Sequence, residues 1–338
     1  MTTKSAVFRG YVPDELDELI LQEFPRPIAV NYCRLLEMQD WQKKTEHCLR
    51  VFEFGLRTMA LGVISQYLIR DADKVNDPYL NRLLLDKLPG KASLGTWQQI
   101  FFTTLRAYQG ERGLFFMPEL YDFYWDTQRE PHRRKKGVED SFTWLVQTRN
   151  DLAHRLGPSM PEEWEDLFHE TFRHLRELLK RFTFLQKYDL IRVVGQQGNY
   201  YEYMVCTGLE IILASSPLHT KAELEPGWFY LSRDNKSFLQ LHPLLIFWEE
   251  AEPGLSTEIE ASRTQDAAIY DSFTKDAVNY LATVLWKVVS DKRAVADFVR
   301  VLYYTIQEVK LKRRKAGKLS WLLLKKVSGN LTLCKLNN

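Results

Sequence analysis

Apolar residues recur at the helical period through most of the first half of the chain. Between positions 46 and 70, Leu49, Phe52, Leu56, Met59, Val63 and Tyr67 fall three and four apart, the spacing of one helix face. Loops are expected around Asp77-Pro78 and Pro89-Gly90, a helix from Thr96, and another from about Pro118. The segment REPHRRKKG, residues 129–137, is bracketed by proline and glycine and reads as a basic loop. The next helix carries Phe142, Leu145, Val146, Leu152 and Leu156 and stops at Gly157-Pro158. Ser159, Pro161 and Glu162 then form a helix start, with Ser159 as the cap and Glu162 three residues on. That start opens a long amphipathic helix through Trp164, Leu167, Phe168, Phe172, Leu175, Leu178, Leu179, Phe182 and Leu185.

The pattern changes near Tyr188. LIRVV and YYEYMVC flank GQQGN, and GWFYL and FLQLHPLLIFW flank SRDNKS, which predicts two hairpins. Their aromatics (Tyr200, Tyr201, Tyr203, Trp228, Phe229, Tyr230, Phe247, Trp248) are expected to fill a core, with a ligand-sensing surface as the alternative. Residues 251–265 resemble a linker. From Ala267 the helical spacing returns through Tyr270, Phe273, Ala277, Tyr280, Val284 and Val288, and again from Val295 to Val309. The expected fold is α+β and mainly α: a helical bundle over 1–187, a small antiparallel β module over 188–255, and C-terminal helices with a basic tail over 256–338.

Composition narrows the class. With 45% hydrophobic residues, 16 Gly and 13 Pro in 338 residues, the chain is neither disordered nor collagen-like. Its net charge of +2 conceals an asymmetry, because nine Lys and Arg and no acid lie beyond Val309. Removing those nine leaves about −7 for residues 1–308, a mildly acidic body with a basic tail. The four cysteines show no Cys-x-x-Cys spacing, so neither a disulfide scaffold nor a zinc ribbon is expected. No apolar run approaches the ~20 residues of a membrane span, and the polar start does not resemble a secretory signal. A cytoplasmic, reducing location is the expectation.

Several chemistries lose support. Pro89-Gly90-Lys91-Ala92-Ser93 lacks the earlier glycine and the hydroxyl directly after the lysine that a phosphate-cradling loop needs. Gly-x-Gly-x-x-Gly, Gly-x-Ser-x-Gly and His-Glu-x-x-His are absent. His169 and His174 lie five apart, about 140° around a helix, and cannot share one metal. Glu165 and His169 are four apart, which suits an exposed pair better than a metal site. No cofactor is expected.

Arg149-Asn150-Asp151-Leu152-Ala153-His154, near a helix start, differs in kind. Arginine, a polar residue, and histidine five positions after the arginine resemble the signature of the HEPN (higher eukaryotes and prokaryotes nucleotide-binding) family. The preceding helices and the long following helix are similar to that family's antiparallel bundle, over about residues 45–187. The resemblance implies a homodimeric, metal-independent endoribonuclease whose two motifs face each other, acting as an effector or toxin in prokaryotic defence or stress. His154 would be the general acid/base, Arg149 the phosphate clamp, and Asn150 would position the pair. RNA would be attracted by Arg129, Arg133, Arg134, Lys135 and Lys136 of the basic loop and by Arg155. The competing reading pairs Arg149 with Asp151 or Glu139 and leaves a catalytically silent adaptor, or a module sensing a nucleotide or a regulatory protein. The basic tail could serve RNA, a partner or a membrane surface.

Overall fold

The structure is a computed structural model describing residues 12–71, 74–128, 131–154, 156–198, 200–217, 223–249, 265–273, 277–282, 288–291 and 294–304. The basic tail, Arg129, Arg155 and the 251–264 stretch of the expected linker lie outside these residues. The first half is helical as expected: α1 (Glu15–Glu23), α2 (Arg26–Glu37), α3 (Trp41–Ser65), α4 (Pro78–Lys87), α5 (Leu94–Ala107) and α6 (Pro118–Tyr124). A two-residue ribbon pairs β1 (Trp125–Asp126) with β2 (Arg133–Arg134), and α7 (Asp140–Ala153) and α8 (Pro161–Arg181) follow. Helix α8 begins two residues later than its expected cap. Glu163, rather than Glu162, reaches back to accept from the Ser159 and Met160 amides at 3.0 and 3.2 Å.

Helix α3 is the axis of the bundle. It is apolar on nearly every side, and Cys48, Val51, Leu56, Ala60, Val63 and Ile64 are all buried. Such a helix is stable only when enclosed, and α2, α5, α7 and α8 pack around it. A single π-turn, Gln66–Arg70, ends it. There Gln66 bridges the fully buried Asp71 at 2.9 Å and the Leu114 carbonyl at 2.9 Å.

The expected hairpins form a five-stranded antiparallel sheet in the order β5-β4-β3-β6-β7. Its strands are β3 (Asp189–Gln197), β4 (Tyr200–Val205), β5 (Ile212–Ser216), β6 (Phe229–Arg233) and β7 (Ser237–Gln240). The β6–β7 turn holds Asp234 and Asn235 at φ 53° and 52°, the left-handed pair that suits a tight hairpin. Leu190, Phe229, Leu231 and Leu239 face the bundle, whereas Ile191, Val193, Tyr201, Tyr203, Leu224 and Tyr230 build a second small core on the other side. Of the expected core aromatics, Tyr201, Tyr203, Phe229 and Tyr230 are thus buried, whereas Trp228 is half-buried and Tyr200 is exposed. Gly208 docks this sheet on the α1–α2 junction. Its amide donates to the Phe24 carbonyl at 2.8 Å, its φ is +70°, and a Cβ there would meet the Gln22 carbonyl oxygen at 2.5 Å.

The expectation of helix over 267–288 is wrong. The chain forms a second sheet in the order β11-β10-β9-β8, from β8 (Leu245–Glu249), β9 (Gln265–Phe273), β10 (Val278–Ala282) and β11 (Val288–Asp291). Successive residues Ala268, Ile269 and Tyr270 are all fully buried. A strand covered on both faces loses its alternation, and an unbroken apolar run mimics a helix face. Among the described residues beyond 265, α9 (Ala294–Val299) and a π-turn at Arg300–Tyr304 keep the expected helical character.

The expected boundaries at 188 and 256 also fail to separate the parts. One core runs from the bundle through the inner face of the first sheet to Ala268, Ile269, Tyr270 and Tyr280 of the second. Arg57 of α3 crosses into that second sheet. Its guanidinium is 4% exposed and holds Glu53 at 2.7 Å, Asp271 at 3.3 Å and the Tyr270 carbonyl at 3.2 Å.

A second ionic tie closes the other end. Arg176 of α8 donates to Asp14, to the fully buried Asp17 and to the Tyr32 hydroxyl, which itself donates to Asp17 at 2.6 Å. Arg176 is the main cause that holds the Asp14 carboxyl below its usual range. Removing one partner of a buried pair strands the other charge, at a cost of about 3–5 kcal/mol. Arg176→Met should therefore lower the unfolding free energy measured by urea denaturation by that order at pH 7. Because the Asp14 pKa is lowered in the fold, its share of the difference is present above pH 3.8 and fades as pH falls through the folded pKa. A variant as stable as the wild type at pH 7 would remove the clamp.

Candidate functional site

Helix α7 presents the Arg149–His154 segment at its C-terminal end. Phe142, Leu145 and Val146 bury the inner face, and the helix stops because His154 takes φ −89° and ψ 12°. Its amide donates to the Asn150 carbonyl at 3.0 Å, and the Leu156 amide returns to Asp151 at 2.9 Å. Gly157 then passes so close that a Cβ would meet Leu152 at 2.9 Å and the Trp164 ring at 3.2 Å. That approach turns the chain into α8.

Neither acid proposed as a partner takes Arg149. Asp151 accepts from Gln147 Nε2 at 2.7 Å, while Glu139 accepts from Arg134 at 3.2 Å and from the Tyr124 hydroxyl at 3.2 Å. Among the described residues, no hydrogen bond or ion pair engages the Arg149, Asn150 or His154 side chains. Arg149 and Asn150 are half-buried and His154 is exposed. Five helical residues turn through about 140°, so one chain offers arginine and histidine on different sides of the helix end. Beside them, Leu156 is 70% and Met160 57% exposed.

The basic loop stands at the other end of α7. From Glu139 to Arg149 the helix rises about 15 Å at its usual pitch, so the loop does not fold back beside Arg149. Arg134 holds Glu139, and Lys135 donates to the Asp122 carbonyl. Arg133 and Lys136 remain exposed on the surface.

The α7–α8 seam holds a polar cluster that the sequence reading passed over, because its members lie 33 positions apart. His174 stacks on Trp144 with centroids 4.5 Å apart. Its Nδ1 lies 3.2 Å from Ser141 Oγ, and its Nε2 lies 3.3 Å from Glu170 and 3.1 Å from Arg173. Glu165 and His169 form an exposed pair at 3.8 Å. Among the described residues no three His, Cys, Asp or Glu side chains converge as metal ligands, and no helix is long and apolar enough to cross a membrane.

No family model, curated protein or solved structure matches the chain.

Burial, then the neighbouring Arg173 charge, lowers the His174 pKa below its ordinary 6.5. The fold thus favours the neutral imidazole, and this seam loses stability as pH falls through 6.5 toward the folded pKa. An NMR titration should find His174 protonating below pH 6.5, and His174→Gln should flatten the stability profile over that window. Protonation above 6.5 would contradict the packing of this seam.

Proposed function

We propose that the protein is a metal-independent endoribonuclease of HEPN type, working as a homodimer through Arg149 and His154. One observation carries the reading: the arginine and histidine at the end of α7 have no acid partner among the described residues, although two carboxylates lay within sequence reach. A guanidinium left uncommitted on a solvated helix end can hold a phosphate bidentately. An exposed imidazole can accept the proton of an attacking RNA 2′-OH and return one to the leaving oxygen. Asn150 lies between them to orient either. The 140° spread within one chain is met by a second copy, so that each phosphate meets arginine from one motif and histidine from the other. Leu156 and Met160, both exposed beside the motif, supply apolar surface for that contact. Arg133 and Lys136 at the far end of α7 suit a strand running along the helix, with Arg129 and Arg155 as further candidates.

The same angular spread favours the second reading, a catalytically silent adaptor in a signalling or defence complex that uses the motif face for a partner. RNA cleavage in EDTA separates the two. His154→Ala should slow cleavage by about 10²–10⁴-fold and Arg149→Ala by about 10²–10³-fold, with 2′,3′-cyclic phosphate ends. Metal-free cleavage that survives both substitutions would falsify the site, and a folded dimer that leaves RNA intact favours the adaptor.

The dimer carries its own test. Leu156→Glu combined with Met160→Glu should convert the dimer to a monomer in analytical ultracentrifugation and abolish cleavage together. A variant that stays dimeric and active places the interface elsewhere.

A further inference from the structure

The chain folds an aromatic pocket on the flank of α8 that faces away from α7. Phe168, which lines it, and His174, which contacts α7, are six residues apart, about 120° around the helix. The pocket has a volume of about 210 Å³, and Leu35 and Leu36 from α2 form its floor. Trp41 and Lys44 come from the first turn of α3, and Phe168, His169 and Phe172 from α8. Trp41 and Phe168 lie 5.3 Å apart, Phe168 stacks on Phe172 at 5.4 Å, and the His169 ring stands 5.5 Å from Trp41 at the rim.

Lys44 gives this slot its chemical character. Its ammonium sits 4.4 Å from the Trp41 centroid and 5.3 Å from that of Phe168. Among the described residues no carboxylate lies within ion-pair distance of it. The nearby Arg176, 5.5 Å over Phe172, is already held by Asp14 and Asp17, and His169 faces Glu165. Lys44 is therefore the cation at this mouth without an acid, resting on ring faces in place of a counter-ion. Ring faces attract cations only modestly, so an anion offered at the mouth should draw the ammonium away. The rings it uncovers then offer stacking surfaces to a flat ligand.

We infer that this pocket binds a small planar aromatic acid, its ring between Trp41, Phe168 and Phe172 and its anionic group on Lys44. At about 210 Å³ the slot is smaller than the roughly 300–1,000 Å³ pockets that take drug-sized ligands, which limits it to one or two fused rings. Lys44 excludes an aromatic cation, which would meet its charge head-on. The inference is independent of the nuclease reading, since none of these residues belongs to the Arg149–His154 face.

Fluorescence anisotropy of 1-naphthoate, with 1-naphthamide and (1-naphthylmethyl)trimethylammonium as the neutral and cationic counterparts, tests it on the full chain. The acid should bind at least about tenfold more tightly than either counterpart. Lys44→Met, a change at a half-buried position that leaves the core intact, should erase that preference. Phe172→Trp, which fills the slot, should weaken the acid and the amide alike, with circular dichroism confirming that both variants fold. Absence of acid binding, tighter binding of the cation, or acid binding unchanged in both variants overturns the proposal.

Discussion

A guanidinium enclosed to 4% exposure persists only where its charge is countered, and Arg57 is countered from two different parts of the chain. Glu53 comes from the same helix one turn earlier, whereas Asp271 and the Tyr270 carbonyl come from the second sheet. The Trp97 ring closes another side at 5.5 Å. The C-terminal half of α3 can be buried because its one deeply placed charge is met by that sheet. The bundle, the first sheet packed on it and the second sheet reached through Arg57 are thereby parts of one structure.

Within this frame the α7–α8 pair divides its labour. The seam itself is filled by Trp144, His174 and Ser141, and the inner face of α8 is buried through Phe168 and Leu175. What α7 does not bury is its end, where the chain must turn and where Gly157 brings the backbone against Trp164. Arginine and histidine at that end are held in place by a rigid helix yet stay open to solvent, the combination a phosphate-binding site requires. The basic loop is tied into the β1–β2 ribbon and the Glu139 contacts, so part of its charge stabilises the start of α7.

The bundle was legible because α3, α5 and α8 each bury one stripe or more at a period of 3.6, and the hairpins because Gly198 and the Asp234-Asn235 pair mark their bends. The second sheet was not, because Ala268, Ile269 and Tyr270 are buried in succession and carry no alternation. The cap of α8 was misplaced by one residue, at Ser159 instead of Met160, because Glu163 rather than Glu162 accepts from the Ser159 and Met160 amides. The Arg149–His154 pattern could be read directly, since it lies within six consecutive positions. The fates of Glu139 and Asp151 could not, because Arg134, Tyr124 and Gln147 compete for them only in three dimensions. The aromatic pocket was hidden for the same reason: its floor, wall and rim come from three helices.

The distance between Arg57 and Asp271 along the chain, 214 positions, also sets a timetable. A ribosome adding about 5–20 residues per second needs roughly 10–40 s to make the second after the first. Through that interval Arg57 has only Glu53 of its own helix as a counter-charge, and the Asp271 and Tyr270 contacts that join the central helix to the second sheet are added last.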